Sequence, residues 1–227
     1  MRENWLILET SGPVARLGLI GNGVVLGRAD LPTSRRHARE IVPTIDTMMR
    51  KEGLTPRQLT GVMVGRGPGS YTGLRVGLAT AKALAYALGC QLRAVDTFAA
   101  IAEQTPEQAA EVWVIADGLQ NQVYVQKYAR MESGWTPVQP LRICGLAEWR
   151  EDLRTPTHIS GPGVAVYGLQ LPPHCQWVPE SDREARIESV FAVGSRLAAL
   201  TWPELFALEP LYLRGSSAEE KLAAPPA

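Results

Sequence analysis

Residues 64–75, "VGRGPGSYTGLR", hold four glycines and a proline between the apolar run "GVMV" (61–64) and an alanine-rich stretch. A loop of this kind, leading from a strand into a helix, has free backbone amides that can hold a phosphate. A Walker loop needs G-x-x-x-x-G-K-[ST], but here Gly73 is followed by Leu74 and Arg75. The dinucleotide fingerprint G-x-G-x-x-G starts at Gly65 and Gly67 and fails at Ser70, then starts at Gly67 and Gly69 and fails at Thr72. What remains is a weak anion site of Gly67, Gly69, Ser70 and Arg75 at the start of the next helix. The competing reading is that the glycines only let a tight turn pack helix against strand. No cofactor is implied beyond weak nucleotide binding.

Other chemistries find less support. The histidines His37, His158 and His174 are far apart, and the cysteines Cys90, Cys144 and Cys175 form no CxxC pair. Neither a metal cluster nor a disulfide framework is legible. No G-x-S-x-G elbow marks a nucleophilic serine. No catalytic residue is assigned. The 23 basic and 23 acidic residues cancel, so no global field attracts nucleic acid. No apolar run approaches the roughly 18 residues of a membrane span, and the N-terminus lacks a signal peptide pattern. A cytoplasmic protein is expected, without a membrane partner.

The elements that would position these residues follow from periodicity. "WLILE" (5–9), "VARLGLI" (14–20) and "GVVLG" (23–27) are short apolar runs parted by turn residues, which predicts an antiparallel meander. From Ser34 the apolar residues Ala38, Ile41, Val42, Ile45, Met48 and Met49 fall on one helical face, and Gly53 stops the helix. Strand 61–64, the glycine loop, helix 72–88, strand 91–95 and helix 96–104 complete the first lobe. The second half predicts strands at 112–117, 122–128, 138–143 and 157–160, with helices around 145–152 and 183–200. This order predicts an α/β protein of ribonuclease H-like lobes, two tandem mixed sheets flanked by helices, the actin-like ATPase architecture. The lobes are placed at 1–104 and 105–227, with a C-terminal tail that returns to the first.

"GRGPGSYTGLRVGLATAKALAYALG" (65–89) resembles the central motif of the TsaB family, also called YeaZ. "LILETS" (6–11), "HAREIVPTID" (37–46), "ADGLQNQVYV" (116–125) and "EPLYLR" (209–214) resemble family segments in the same order, so the resemblance covers nearly the whole chain. It implies a non-catalytic subunit of bacterial tRNA modification. Such proteins bind TsaD, a homologous actin-like enzyme, together with the small ATPase TsaE. The assembly transfers a threonylcarbamoyl group to the adenosine next to the anticodon of tRNAs that read ANN codons. Contact with tRNA is then made only through the complex. The alternative is a weak nucleotide-binding or ATP-hydrolysing enzyme of the actin-like fold.

Two departures from the family pattern stand out. The first strand usually ends in Asp-Thr and here ends in Glu9-Thr10; Asp117 is followed by Gly118 and Leu119 instead of the usual Ala-Arg. Catalytic relatives also bind a metal through two histidines one helical turn apart, whereas "HAREI" has His37 alone. Small residues recur every four positions along helix 72–88, both at Gly73, Gly77, Ala81 and Ala85 and at Ala79, Ala83 and Ala87. Such a face admits another helix closely. With the family in view, the first row, together with His37, Ile41, Ile45, Met48 and Met49, is expected to meet TsaD, or a second copy when TsaD is absent.

Overall fold

The computed structural model describes residues 3–32 and 37–213. The apolar runs of the first half form strands β1 (Asn4–Glu9), β2 (Val14–Gly21) and β3 (Val24–Pro32), followed by helix α1 (His37–Lys51). β4 (Gly61–Gly65), α2 (Tyr71–Leu88), β5 (Gln91–Val95) and α3 (Thr97–Ala102) come next. Asn22 and Gly23, both at positive φ, make the tight turn between β2 and β3. The sheet order is β3-β2-β1-β4-β5. β1 runs antiparallel to β2 and parallel to β4, which is parallel to β5.

Alternation along β1 sorts its side chains between two cores. Leu6 and Leu8 face α1 and α2, where Ile41, Ile45, Met48, Ala81 and Ala85 close over them. Trp5 and Ile7 face the opposite side, with Met63, Val95, Phe98 and Val190.

The second half builds β6 (Glu111–Asp117), β7 (Gln122–Met131), β8 (Gly134–Pro137), β9 (Arg142–Gly145) and α4 (Leu146–Arg150). β10 (His158–Ser160), α5 (Gly163–Tyr167) and β11 (Gln176–Trp177) follow, then α6 (Ile187–Ser195) and α7 (Trp202–Ala207). The sheet order is β11-β10-β6-β7-β8, with β9 also on β7. Its outer core gathers around Trp113, Ile115, Trp149 and Ile159.

The last two helices leave the second sheet and pack on the first. α6 lies under β1, β4 and β5, and buries Ile187 and Val190 in the core between the lobes. Burial of each such side chain contributes about 1.5–3 kcal/mol. Gly18 makes room for it: a Cβ there would stand 2.7 Å from the Ile187 Cδ1. α7 seats Leu205 beside Leu78 and Ala85, and Lys82 donates to the carbonyls of Phe206 (2.9 Å) and Leu208 (3.1 Å). Further along, Tyr212 stacks on Tyr71 at 4.8 Å.

Several boundaries differ from expectation. The helix expected over 183–200 is only Ile187–Ser195, because residues beyond it bend to bond β5, with the Leu200 N–H on the Leu92 carbonyl at 2.8 Å. Of the strand expected at 138–143 only Arg142 and Ile143 are extended, at the start of β9; residues 138–141, which include Pro140 with no N–H to give, form no strand, and β8 ends before them. The start expected at Ser34 lies outside the described residues. Among those described, no helix is long and apolar enough to cross a membrane.

Candidate functional site

The glycine loop joins β4 to α2 and meets the end of β1 from the side. Gly65 has no side chain because the Glu9 carboxylate fills the place a Cβ would take. Gly73 and Gly77 do the same for Thr10, whose carbonyl and hydroxyl press on the first turns of α2. Ser70 caps the helix, its hydroxyl accepting from the Gly73 N–H at 3.2 Å. The loop is therefore glycine-rich so that α2 can lie against residues 9–11.

Glu9 is 1% exposed. Its carboxylate accepts the Ser11 N–H at 2.7 Å and the Thr97 hydroxyl at 3.2 Å, and Thr97 in turn accepts from the Gly67 N–H at 3.2 Å. Burial pushes the Glu9 carboxyl above its ordinary range, against the lowering effect of the Ser11 and Thr97 hydrogen bonds and the Arg16 charge. The cleft between the lobes at this point has a volume of only about 40 Å³. That is room for a water but not for a nucleotide. Arg16 and Glu184 clamp the lobes across it at 2.5 Å, and Gln104 reinforces the clamp by donating to the Asp182 and Glu184 carbonyls.

The weak anion site does not assemble. The Gly67 N–H is held by Thr97, the Ser70 N–H bonds the Ser11 carbonyl at 2.7 Å, and Gly69 is pressed against Ser11. Arg75 donates to the Tyr212 hydroxyl at 2.9 Å and lies over the Tyr71 ring. These groups are spent on holding the loop and the C-terminal segment together. Among the described residues, no three of His, Cys, Asp and Glu gather as a metal site; His174 bonds the Leu153 carbonyl at 2.8 Å.

In the second lobe the matching strand end carries Asp117. It accepts the Tyr167 hydroxyl at 2.5 Å and the Leu119 N–H at 2.8 Å. Burial, then the Asp117 hydrogen bond and charge, push the Tyr167 phenol up to about 12. Leu119, Gln120 and Asn121 all have positive φ, and Leu119 is 64% exposed.

The expected partner face is corrected by the packing. Ile41, Ile45, Met48, Met49, Ala81 and Ala85 are all buried in the core beneath the helices, and Gly73 and Gly77 face Thr10. The His37 side chain lies outside the described residues. Both helices cover the same sheet, and their apolar stripes are needed there. The outward side of α2 carries the other row, Ala79, Ala83 and Ala87, with Thr72 and Tyr86. α1 turns Arg39, Val42 and Asp46 outward. Thr97, Arg16, Tyr167 and Tyr212 are contributors that sequence reasoning missed; only "EPLYLR" had been marked, as a motif without a role.

The family model for TsaD, described as tRNA N6-adenosine threonylcarbamoyltransferase, matches residues 31–152. The chain is 27% identical over 149 residues to a Bacillus subtilis protein named tRNA threonylcarbamoyladenosine biosynthesis protein TsaB, covering 66% of this chain and 65% of that one. A Haemophilus influenzae protein of the same name is 32% identical over 127 residues, covering 55% and 53%. The aligned stretch thus spans between half and two thirds of these relatives. The structure of YeaZ from Pseudomonas aeruginosa superposes with a TM-score of 0.77 at 21% identity, over 93% of this chain and all of that one.

Proposed function

The chain belongs to the TsaD family and, within it, to the TsaB (YeaZ) members, and from that premise we propose that it is a non-catalytic subunit of tRNA threonylcarbamoyladenosine synthesis. In this reading it works in the cytoplasm by binding and activating TsaD, with TsaE as the third member. The complex transfers a threonylcarbamoyl group to the adenosine next to the anticodon of tRNAs that read ANN codons, and tRNA is met only there.

The seat of Glu9 carries the proposal. At the end of β1, where an actin-like enzyme would face a phosphate-bound metal, a buried glutamate points inward and takes up the available space. An arriving phosphate would meet that carboxyl instead of a cradle of amides. The two lobes cannot part there without breaking the Arg16–Glu184 pair and pulling α6 from under the first sheet. What the chain offers outside is the pair of helices. Val42 on α1 and Tyr86 on α2 are 53% and 64% exposed, and the outward Ala79, Ala83 and Ala87 of α2 leave a surface low enough for a partner helix. The same surface would pair two copies when TsaD is absent.

Reconstitution tests this. Modified nucleosides from tRNA, quantified by mass spectrometry, should form with TsaD, TsaE and this chain together, and drop at least tenfold when the chain is left out. Transfer by this chain alone would refute the reading. ATP hydrolysis by the chain alone at the rate of the full set would favour the nucleotide-hydrolysing alternative.

A further inference from the structure

Where α7 lies on the C-terminal half of α2, a cluster of aromatic rings stands open to solvent. α7 is held down by Leu205 in the core and by Lys82, which donates to the Phe206 and Leu208 carbonyls. Trp202 and Phe206 take no part in that anchorage: they are 48% and 60% exposed, beside Tyr86 at 64%. The Tyr86 ring meets both edge-on, its centroid 5.9 Å from that of Trp202 and 5.7 Å from that of Phe206. Three aromatic rings gathered in water mark a contact surface.

The chain itself leads to an occupant. After α7 it runs back along α2, from Lys82 to the helix start, where Tyr212 stacks on Tyr71 and accepts from Arg75. The sequence continues from there as RGSSAEEKLAAPPA (214–227), outside the described residues. Its Pro225–Pro226 pair favours the polyproline II form, which aromatic-lined surfaces recognise because the shape is set before binding and the prolines have no N–H to satisfy. From Tyr71 to Tyr86, α2 rises about 22 Å at ~1.5 Å per residue. Residues 214–224, extended at ~3.1 Å each, span roughly 34 Å and so bring Pro225 to the cluster with slack. The lane between is the outward row Ala79, Ala83 and Ala87, whose short side chains leave an extended chain unobstructed.

We propose that residues 214–227 fold back along the outward row of α2 and seat Pro225 and Pro226 against Trp202, Phe206 and Tyr86, as an intramolecular cover for the helix face. A partner that uses this face displaces the cover and loses affinity by doing so; that the partner is TsaD rests on the function proposed above.

Fluorine NMR of the full chain labelled with 5-fluorotryptophan reads the cluster directly, with the Trp202 resonance assigned by Trp202→Phe. That resonance should differ in position between the full chain and a chain cut after Leu213. Pro225→Ala combined with Pro226→Ala, which leaves the length intact, should move it to the position seen in the cut chain. The same position in all three proteins would overturn the proposal. So would a difference that vanishes on tenfold dilution, which would assign the cover to the tail of a second copy. Titrated with TsaD, the cut chain should bind at least threefold tighter than the full chain, and equal affinities would also overturn the cover. If neither form binds TsaD while the Trp202 difference persists, the docking stands and the function proposed above fails.

Discussion

Helix α2 carries two rows of small residues at the same four-residue spacing, on opposite sides. Gly73, Gly77, Ala81 and Ala85 press on Thr10 and the first sheet, while Ala79, Ala83 and Ala87 face out. Smallness serves two ends here. On the inner row it lets helix and strand-end loop approach until a methyl would clash, as a densely packed interior demands. On the outer row it leaves a surface low enough for another helix. Periodicity cannot separate these, because both rows have the same period and nearly the same composition.

Substitutions along the two rows should give opposite patterns. Gly73→Val puts a branched side chain into the Thr10 carbonyl, where backbone cannot yield, and should cost more than ~3 kcal/mol, above the usual range of overpacking. It should fail to accumulate as folded protein, as circular dichroism would show. Ala81→Leu, in the core but among side chains that can shift, should cost about 1–3 kcal/mol. At this chain length that lowers the melting temperature by several degrees, since each 1 kcal/mol is worth ~2–4 °C. Ala83→Leu should stay within ~0.5 kcal/mol of wild type in calorimetry, while its affinity for TsaD, read by titration, falls about tenfold. Equal melting losses for Ala81→Leu and Ala83→Leu would erase the distinction between the rows.

How far the sequence announced this depends on the range of the forces involved. Strands β1 to β5 and helices α1 and α2 were legible because each holds its own apolar run between turn residues or its own helical stripe, with Gly89 at φ 62° closing α2. The short elements α5, β11 and α7 carry too few residues for a period to show, and exist because neighbours hold them. The Glu9 site was half legible. The glutamate stood out against the family pattern, but its partners Ser11 and Thr97, the latter 88 residues away, are joined to it only by folding. Side choice on α2 was the hardest, since it depends on Thr10, a residue with no helical periodicity of its own.

The strand ends Glu9 and Asp117 sharpen the same contrast between inward and outward at smaller scale. Asp117 is exposed and Glu9 fully buried. Because the folded state raises the Glu9 pKa above the ordinary 4.5, the folded protein holds this proton more tightly than the unfolded chain does. Its contribution to stability is therefore fully present below about pH 4.5 and is lost as pH rises through the folded value. Glu9→Gln should abolish that loss: the gap between variant and wild type in urea unfolding should widen from acid towards neutral pH, in favour of the variant. A gap that narrows over that range would mean the carboxylate is held ionised. Asp117→Asn, at an exposed site, should show the smallest change in stability, and its effect should come through the bond from Tyr167.

The placement of α6 has a consequence for the chain as it is made. β5 ends at Val95, yet α6, which shields the other side of that sheet, begins only at Ile187. At a synthesis rate of ~5–20 residues per second, the first sheet waits on the order of ten seconds with Trp5, Ile7 and Met63 not yet covered by α6. During that interval the nascent protein covers this apolar surface only in part, through Phe98 and Ile101 of α3, while the share that α6 takes stays open. A holding chaperone, or slow elongation through the second half, should therefore matter more for this protein's yield than for one whose lobes close in the order they emerge.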